Sequence, residues 1–177
     1  STLQQEAARK LRSSAQQTMR TAQQLYENGF ITYMRTDSTN LSEEAIAWSR
    51  QVIQDLYGDD YLPGKAIRYA TKVKNAQEAH EAIRPAHRIF RSVAEVEKTL
   101  GKDAAKLYDL IWKRTVASQM TPAKLKQTAV TIQNQKTEFR ANGQVILFPG
   151  YMRVYVEGRD NPKKDLANKE RILPALT

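Results

Sequence analysis

Gly29-Phe30-Ile31-Thr32-Tyr33-Met34-Arg35-Thr36-Asp37-Ser38-Thr39-Asn40 separates two helical patterns: one stops at Gly29 and the next starts at Ser42. Phe30 to Tyr33 is a short β-branched and aromatic run, and a polar loop carrying Arg35 and Asp37 follows it. In an extended segment residues i and i+2 point to the same face, so Tyr33 and Arg35 are expected to face one phosphate together. Asp37 continues the alternation and is placed to orient Arg35. A tyrosine oxygen can hold a covalent phosphate. A phenol with a pKa near ~10 is protonated at neutral pH, so it needs a cation or base beside it. A guanidinium stays charged and fits phosphate oxygens with two parallel donors. These residue types therefore suit nucleophilic attack on a phosphodiester. On spacing alone they also suit an ordinary half-buried strand tyrosine followed by a turn.

Upstream, Leu3, Ala7, Ala8 and Leu11 recur at helical spacing, and Ser13 and Ser14 then interrupt the pattern, each three residues before a Gln. A second helix carries Ala15, Met19, Ala22, Leu25 and Tyr26 on one stripe, with Gly29 just past its end. Two helices with so short a break fit either a helix-turn-helix or two packed core helices. Downstream, Ser42 caps a helix whose first turn holds Glu43 and Glu44, whose stripe runs from Ile46 through Tyr57, and which ends at Gly58. Its N-terminal amides are a candidate phosphate contact. Residues 67–73 mix apolar and basic side chains and read as an irregular segment that tracks a nucleic-acid backbone. Residues 76–80 predict a short helix, and Pro85 stops anything beyond Ile83. Ser92-x-x-Glu95 opens a helix ending near Leu100-Gly101. The longest helix is predicted over 103–120, with Leu107, Tyr108, Ile111, Trp112 and Val116 as its core face.

After Pro122 the period changes to two. Residues 127–133 alternate, and residues 137–141 and 144–148 flank Asn142-Gly143, a two-residue hairpin signal. Residues 151–156 predict a further strand. Residues 157–171 are charged and read as a linker. No internal repeat or low-complexity tract is present.

The 177 residues carry a formal net charge of +9 and are 41% hydrophobic, enough for one domain with a real core and suggestive of a polyanionic partner. The charge is uneven: residues 43–60 hold one basic and five acidic side chains, residues 61–91 seven and two, residues 121–177 ten and five. The absence of Cys excludes disulfides and thiolate zinc sites, and two His make a His-based metal site improbable. No apolar run approaches the ~18 residues of a membrane span, and no signal peptide is visible. The chain opens on Ser1 inside an amphipathic pattern and reads as a fragment of something longer.

A second segment, Asn75-Ala76-Gln77-Glu78-Ala79-His80-Glu81-Ala82-Ile83-Arg84-Pro85, joins the tyrosine stretch in a resemblance. Together, and in this order, the two are similar to characteristic segments of the type IA DNA topoisomerases, the bacterial topoisomerase I kind. The resemblance spans nearly the whole chain but only part of that family's enzyme. It implies that Tyr33 is the nucleophile, with Arg35 and His80 as catalytic partners and Arg35, Thr36, Asp37 and Arg84 at the DNA. On the residues alone His80 is as well a structural histidine, and Arg84 as well a surface salt-bridge partner of Glu81.

The implied fold class is mainly α: a winged-helix or CAP-like helical domain over 1–121, a short antiparallel β segment of an arch domain over 122–156, and a linker over 157–177. The implied activity is cutting one DNA strand through a 5′-phosphotyrosine link, passing another strand and resealing, without ATP, in the cytoplasm at the nucleoid. Mg²⁺ would be held by a domain absent from these residues, since the family's Asp-x-Asp motif occurs nowhere here. The isolated chain is expected to hold no metal, to be inactive, and to need DNA and the missing domains as partners, with no membrane. Two other classes fit parts of the sequence. A tyrosine recombinase also joins Tyr to Arg and His, but its tyrosine follows a His-x-x-Arg motif, whereas Tyr33 precedes His80-x-x-x-Arg84. A non-enzymatic helix-turn-helix module explains the charge and the first two helices but not Tyr33-x-Arg35.

Overall fold

A computed structural model describes residues 1–69, 81–156 and 170–174. Among these described residues, five α-helices and one antiparallel ribbon follow in chain order: α1 (Thr2–Leu11), α2 (Ala15–Glu27), α3 (Glu43–Tyr57), α4 (Val93–Leu100), α5 (Lys102–Ser118), β1 (Lys124–Asn134) and β2 (Thr137–Phe148). Short 3-10 turns lie at Asp59–Tyr61 and Gly150–Arg153. The fold is thus mainly α, as the periodicity predicts.

Side chains cap four of the helix starts, at Ser14, Ser42 and Ser92 as the sequence predicts and at Ser1, which the sequence places inside the helical pattern. Ser1 and Gln4 form a capping box, Ser14 caps α2 through the Gln17 amide, and Ser42 caps α3 through the Ala45 amide. Ser92 and Glu95 form the expected box at α4. Each such cap satisfies an amide that would otherwise lack a partner, worth about 1 kcal/mol.

Helix α5 is the centre. It packs against α1, α2, α3 and α4, and buries Leu107, Tyr108, Ile111 and Val116. One cluster gathers Leu25, Phe30, Ile31, Met34, Val96 and Tyr108 around it; a second gathers Ile53, Val116, Met120 and Val154. Trp112 is half-buried and touches both, so it is a core residue. Complete burial of a side chain such as Leu25 contributes about 1.5–3 kcal/mol. Leu56, placed on the α3 stripe by spacing, is instead 61% exposed.

The ribbon corrects two readings. Its turn is at Gln135-Lys136, with Gln135 at φ 52°, while Asn142 and Gly143 lie inside β2 opposite Ala129 and Thr128. Gly143 serves a close approach, not a turn: a Cβ there would stand 2.7 Å from Leu173 Cγ and 2.9 Å from the Arg171 carbonyl oxygen. Residues 170–174 run along β2, where Gln144 and Arg171 exchange two backbone hydrogen bonds of 2.9 Å, so this end of the expected linker is paired. At the outer end of the ribbon Ile132 and Phe139 face each other across the strands and remain half exposed.

Residues 151–156 are not a strand. They coil through the 3-10 turn and return to the helical body, burying Met152, Val154, Tyr155 and Val156 in near succession rather than alternately. The Tyr155 hydroxyl donates to the buried carboxylate of Glu6, the ring lies under Lys10 and Arg114, and Lys10 Nζ donates to the Val156 carbonyl at 2.6 Å. Burial and the Glu6 contact push the Tyr155 phenol well above its ordinary value. The expected strand fails here because three consecutive side chains, Val154 to Val156, are all buried, and period-two exposure has no place.

Candidate active site

The site begins where α2 ends. Asn28 caps the helix and Gly29 takes φ 73°, which only glycine adopts at no steric cost. The Phe30 amide then donates to Leu25 O and the Gly29 amide to Tyr26 O, both at 2.9 Å. This is the paired closure of a left-handed helix end, and its apolar contact is present too: Phe30 and Leu25 share one core cluster. The reversal drops Phe30 and Ile31 into the core and turns the next residues outward. After buried Ile31 and half-buried Thr32, exposure alternates over three residues: Tyr33 38% exposed, Met34 buried, Arg35 exposed. Met34 thus anchors the loop between the two side chains expected to meet a phosphate.

Tyr33 packs edge-on against Tyr26, with ring centroids 5.4 Å apart and planes at 73°. This is the favoured arrangement of two aromatic quadrupoles. Tyr26 was placed by the helical stripe on the core side, but it is 42% exposed at the surface beside Tyr33. Its position in the last turn before Gly29 was the available signal for this contact.

Beyond Arg35 the loop is stapled by its own hydroxyls. Thr36 Oγ1 accepts the Ser38 amide at 3.0 Å and Ser38 Oγ accepts the Asn40 amide at 3.2 Å. Thr36 therefore shapes the loop. Asp37 is exposed and, among the described residues, makes no ion pair with Arg35, so the expected orienting contact is not formed.

The second motif lies against this loop. Residues 81–86 run antiparallel to its entrance: Ala86 N–H donates to Phe30 O at 3.0 Å, Thr32 N–H to Arg84 O at 2.9 Å, and Ile31 bridges Pro85. The Thr32 hydroxyl donates to Ala82 O at 2.9 Å and accepts the Arg84 amide at 3.0 Å. At the loop exit, Ala82 N–H donates to Asn40 O at 2.8 Å. His80, the remaining catalytic candidate, and residues 70–79 lie outside the described residues.

The sequence allows Arg84 either a DNA contact or a surface salt bridge. Its ion pair with Glu81 forms, but it is enclosed: Arg84 is 7% exposed. Nε and Nη2 each donate to the Glu81 carboxylate at 2.8 Å, Nη1 donates to Pro85 O at 2.8 Å, and the guanidinium lies 5.4 Å from the Trp48 ring centre. With its donors turned inward, the side chain presents no fork to a phosphate. Glu81 also accepts the Ser42 amide at 2.8 Å. A carboxylate therefore already lies at the N-terminus of α3, where the helix dipole favours an anion. Burial acts to raise the Glu81 pKa, but the hydrogen bonds from Arg84 and Ser42 and the Arg84 charge outweigh it, and the group is held below its usual value. Arg68, in the basic segment, is likewise paired to Glu43 by two contacts, on the surface.

The described residues do not fit a magnesium site. No three His, Asp or Glu side chains gather among them. Near the loop, Glu81 is committed to Arg84 and Ser42. No described helix is long and apolar enough to cross a membrane.

The loop thus presents an exposed tyrosine and an exposed arginine and is held at both ends, and comparison with known proteins gives the family. The model of the DNA topoisomerase family matches residues 1–177, and the chain belongs to that family, in its bacterial topoisomerase I branch. It is 54% identical to DNA topoisomerase 1 of Synechococcus elongatus over 176 residues, covering 99% of this chain and 20% of that protein. It is also 54% identical to DNA topoisomerase 1 of Streptomyces coelicolor over 180 residues, covering 99% of this chain and 19% of the relative. Among solved structures, full-length topoisomerase I from Thermotoga maritima superposes with a TM-score of 0.73 at 38% identity, over 90% of this chain and 27% of that one. The chain thus spans about a fifth of the length of these curated relatives.

Proposed function

We propose that this chain is the nucleophile-bearing part of a type IA DNA topoisomerase. The observation that carries the reading is the exposure of Tyr33 and Arg35 on either side of buried Met34. The Tyr33 oxygen attacks a phosphorus of one DNA strand, the bond to the 3′ oxygen breaks, and that oxygen leaves as a 3′-hydroxyl while the 5′-phosphate stays on the tyrosine. A second strand passes, and the 3′-hydroxyl attacks the phosphotyrosine to restore the strand, relaxing negative supercoils. One phosphodiester is exchanged for another and back, so no ATP is consumed. Arg35 stabilises charge on the phosphoryl oxygens. His80 is the third catalytic member, and Arg35, Thr36 and Asp37 line the DNA.

In this reading residues 1–121 form a winged-helix-like domain, the ribbon enters an arch, and residues 157–177 lead to the next domain. Mg²⁺ belongs to another part of the longer protein, whose partner is single-stranded DNA in underwound duplex in the cytoplasm at the nucleoid.

Two expected results test the reading. In a full-length enzyme carrying these residues, Arg35→Ala lowers single-turnover cleavage of a labelled oligonucleotide by roughly 10²–10³-fold, the usual effect of removing one charge-stabilising donor. Arg35→Lys restores only part, because a point charge lacks the planar fork. Cleavage by Arg35→Ala at the parental rate removes Arg35 from the reaction. The 177-residue chain alone binds single-stranded DNA weakly, with affinity that falls as salt rises. With Mg²⁺ present it leaves no protein linked to a 5′ end after denaturation. A covalent adduct formed by the chain alone would show that these residues hold a complete active site.

A further inference from the structure

We infer that the buried Glu81–Arg84 pair is a positioning device for the Tyr33 loop, an assignment that rests on Tyr33 being the nucleophile. The loop from 33 to 40 has two anchorages. Thr32 at its entrance is bonded through both backbone and hydroxyl to Ala82 and Arg84, and Asn40 at its exit is bonded to Ala82. Both anchorages lie on the same short stretch, residues 82–84, which belongs to no helix or strand. A stretch without a backbone ladder of its own needs side chains to fix its shape.

Arg84 and Glu81 supply that. Two parallel hydrogen bonds of 2.8 Å close the stretch on itself, and a third from Nη1 ties it to Pro85 O. The same carboxylate reaches the Ser42 amide at the start of α3, and the guanidinium packs over Trp48 of α3. One ion pair therefore sets the distance between the loop's entrance, its exit and the helix that follows. A bidentate pair has directional geometry as well as charge, which is what alignment requires. Displacing an attacking group by about 1 Å costs roughly 10²-fold in rate. Neither side chain reaches the reacting atoms in this arrangement, so the pair acts through the loop.

The test uses a full-length enzyme carrying these residues, with Tyr33→Phe as reference. The double variant Glu81→Met/Arg84→Met removes both charges while keeping apolar volume, a replacement that buried pairs often tolerate. The variant Arg84→Lys keeps the charge and loses the fork. Three quantities are read: the fraction folded at the assay temperature by circular dichroism, the affinity for a single-stranded oligonucleotide with its salt dependence, and the single-turnover rate of covalent adduct formation at saturating DNA. Expected are a folded enzyme, unchanged affinity and salt slope, and an adduct rate reduced roughly ten- to hundredfold, with Arg84→Lys falling between the double variant and the parent.

A folded double variant that cleaves at the parental rate overturns the proposal. So does weakened binding with a salt slope reduced by about one, which would assign Arg84 to a phosphate. Loss of rate that only tracks the fraction folded also overturns it, leaving the pair a fold element. If the double variant does not fold, Arg84→Lys decides by the same readings. Adduct formation by Tyr33→Phe would instead overturn the nucleophile assignment itself, whatever Arg84 does.

Discussion

Tyr33→Phe in a full-length enzyme carrying these residues abolishes the covalent DNA adduct, a loss of roughly 10⁴-fold or more, as expected when a reacting nucleophile is deleted. Binding of single-stranded DNA stays within about twofold of the parent. The structure explains why the two effects separate. The ring keeps its edge-on contact with Tyr26, and the backbone is held by Ile31 and Met34 in the core and by the Thr32 bonds to Ala82 and Arg84. Phenylalanine therefore occupies the same place with only the oxygen gone. A denaturing gel after incubation with a 5′-labelled or 3′-labelled oligonucleotide reads the adduct and its polarity together. Supercoil relaxation by Tyr33→Phe near the parental rate would place the nucleophile elsewhere.

Gly150→Ala destabilises the 177-residue chain by about 3 kcal/mol, combining the typical cost of overpacking with that of a left-handed non-glycine residue. At this chain length that lowers the Tm by roughly 6–12 °C. The Gly150 Cβ would stand 2.3 Å from the Thr121 carbonyl oxygen and 2.6 Å from the carbonyl group of Pro122, all backbone atoms, and φ is +50°. Neither neighbour can swing aside as a side chain would. Gly150 sits where the chain leaves the ribbon, so the substitution pries apart the point where β1 departs and β2 returns. Scanning calorimetry of both proteins reads the shift. A Tm within a degree of the parent would mean that the two roots separate at little cost.

The helices were legible because each carries its own start and stop. Ser42 with Glu43 and Glu44, Ser92 with Glu95, and Gly29 and Gly58 after the last turns are local signals, and none depends on distant contacts. The shared exposure of Tyr33 and Arg35 was legible for the same reason, since two residues flanking a third in an extended segment are a property of three consecutive positions. What escaped the sequence was decided by distant partners. Asn142-Gly143 has the composition of a turn, yet Leu173 and Arg171 pack on Gly143 and claim the glycine for themselves. Residues 151–156 have the composition of a strand, yet Glu6, Lys10 and Arg114 receive Tyr155 into the body. The spacing of Glu81 and Arg84 allows an ion pair, but only the position of Trp48 and the Ser42 amide shows that the pair is enclosed and cross-links three segments.

The lower end of the ribbon is gripped from both sides. Thr121 donates its amide to Tyr61 O and its carbonyl accepts the Tyr151 amide, each at 2.9 Å, while Phe148 stacks 4.9 Å from the Tyr61 ring. Above this grip β1 and β2 run 11 and 12 residues, about 35 Å at ~3.4 Å per residue. The ribbon is in effect a lever arm fixed to the helical body at one end. A rotation of that body by about 10° about the grip carries the far end through roughly 6 Å, so small angular changes near the tyrosine become displacements as large as a strand spacing at the tip.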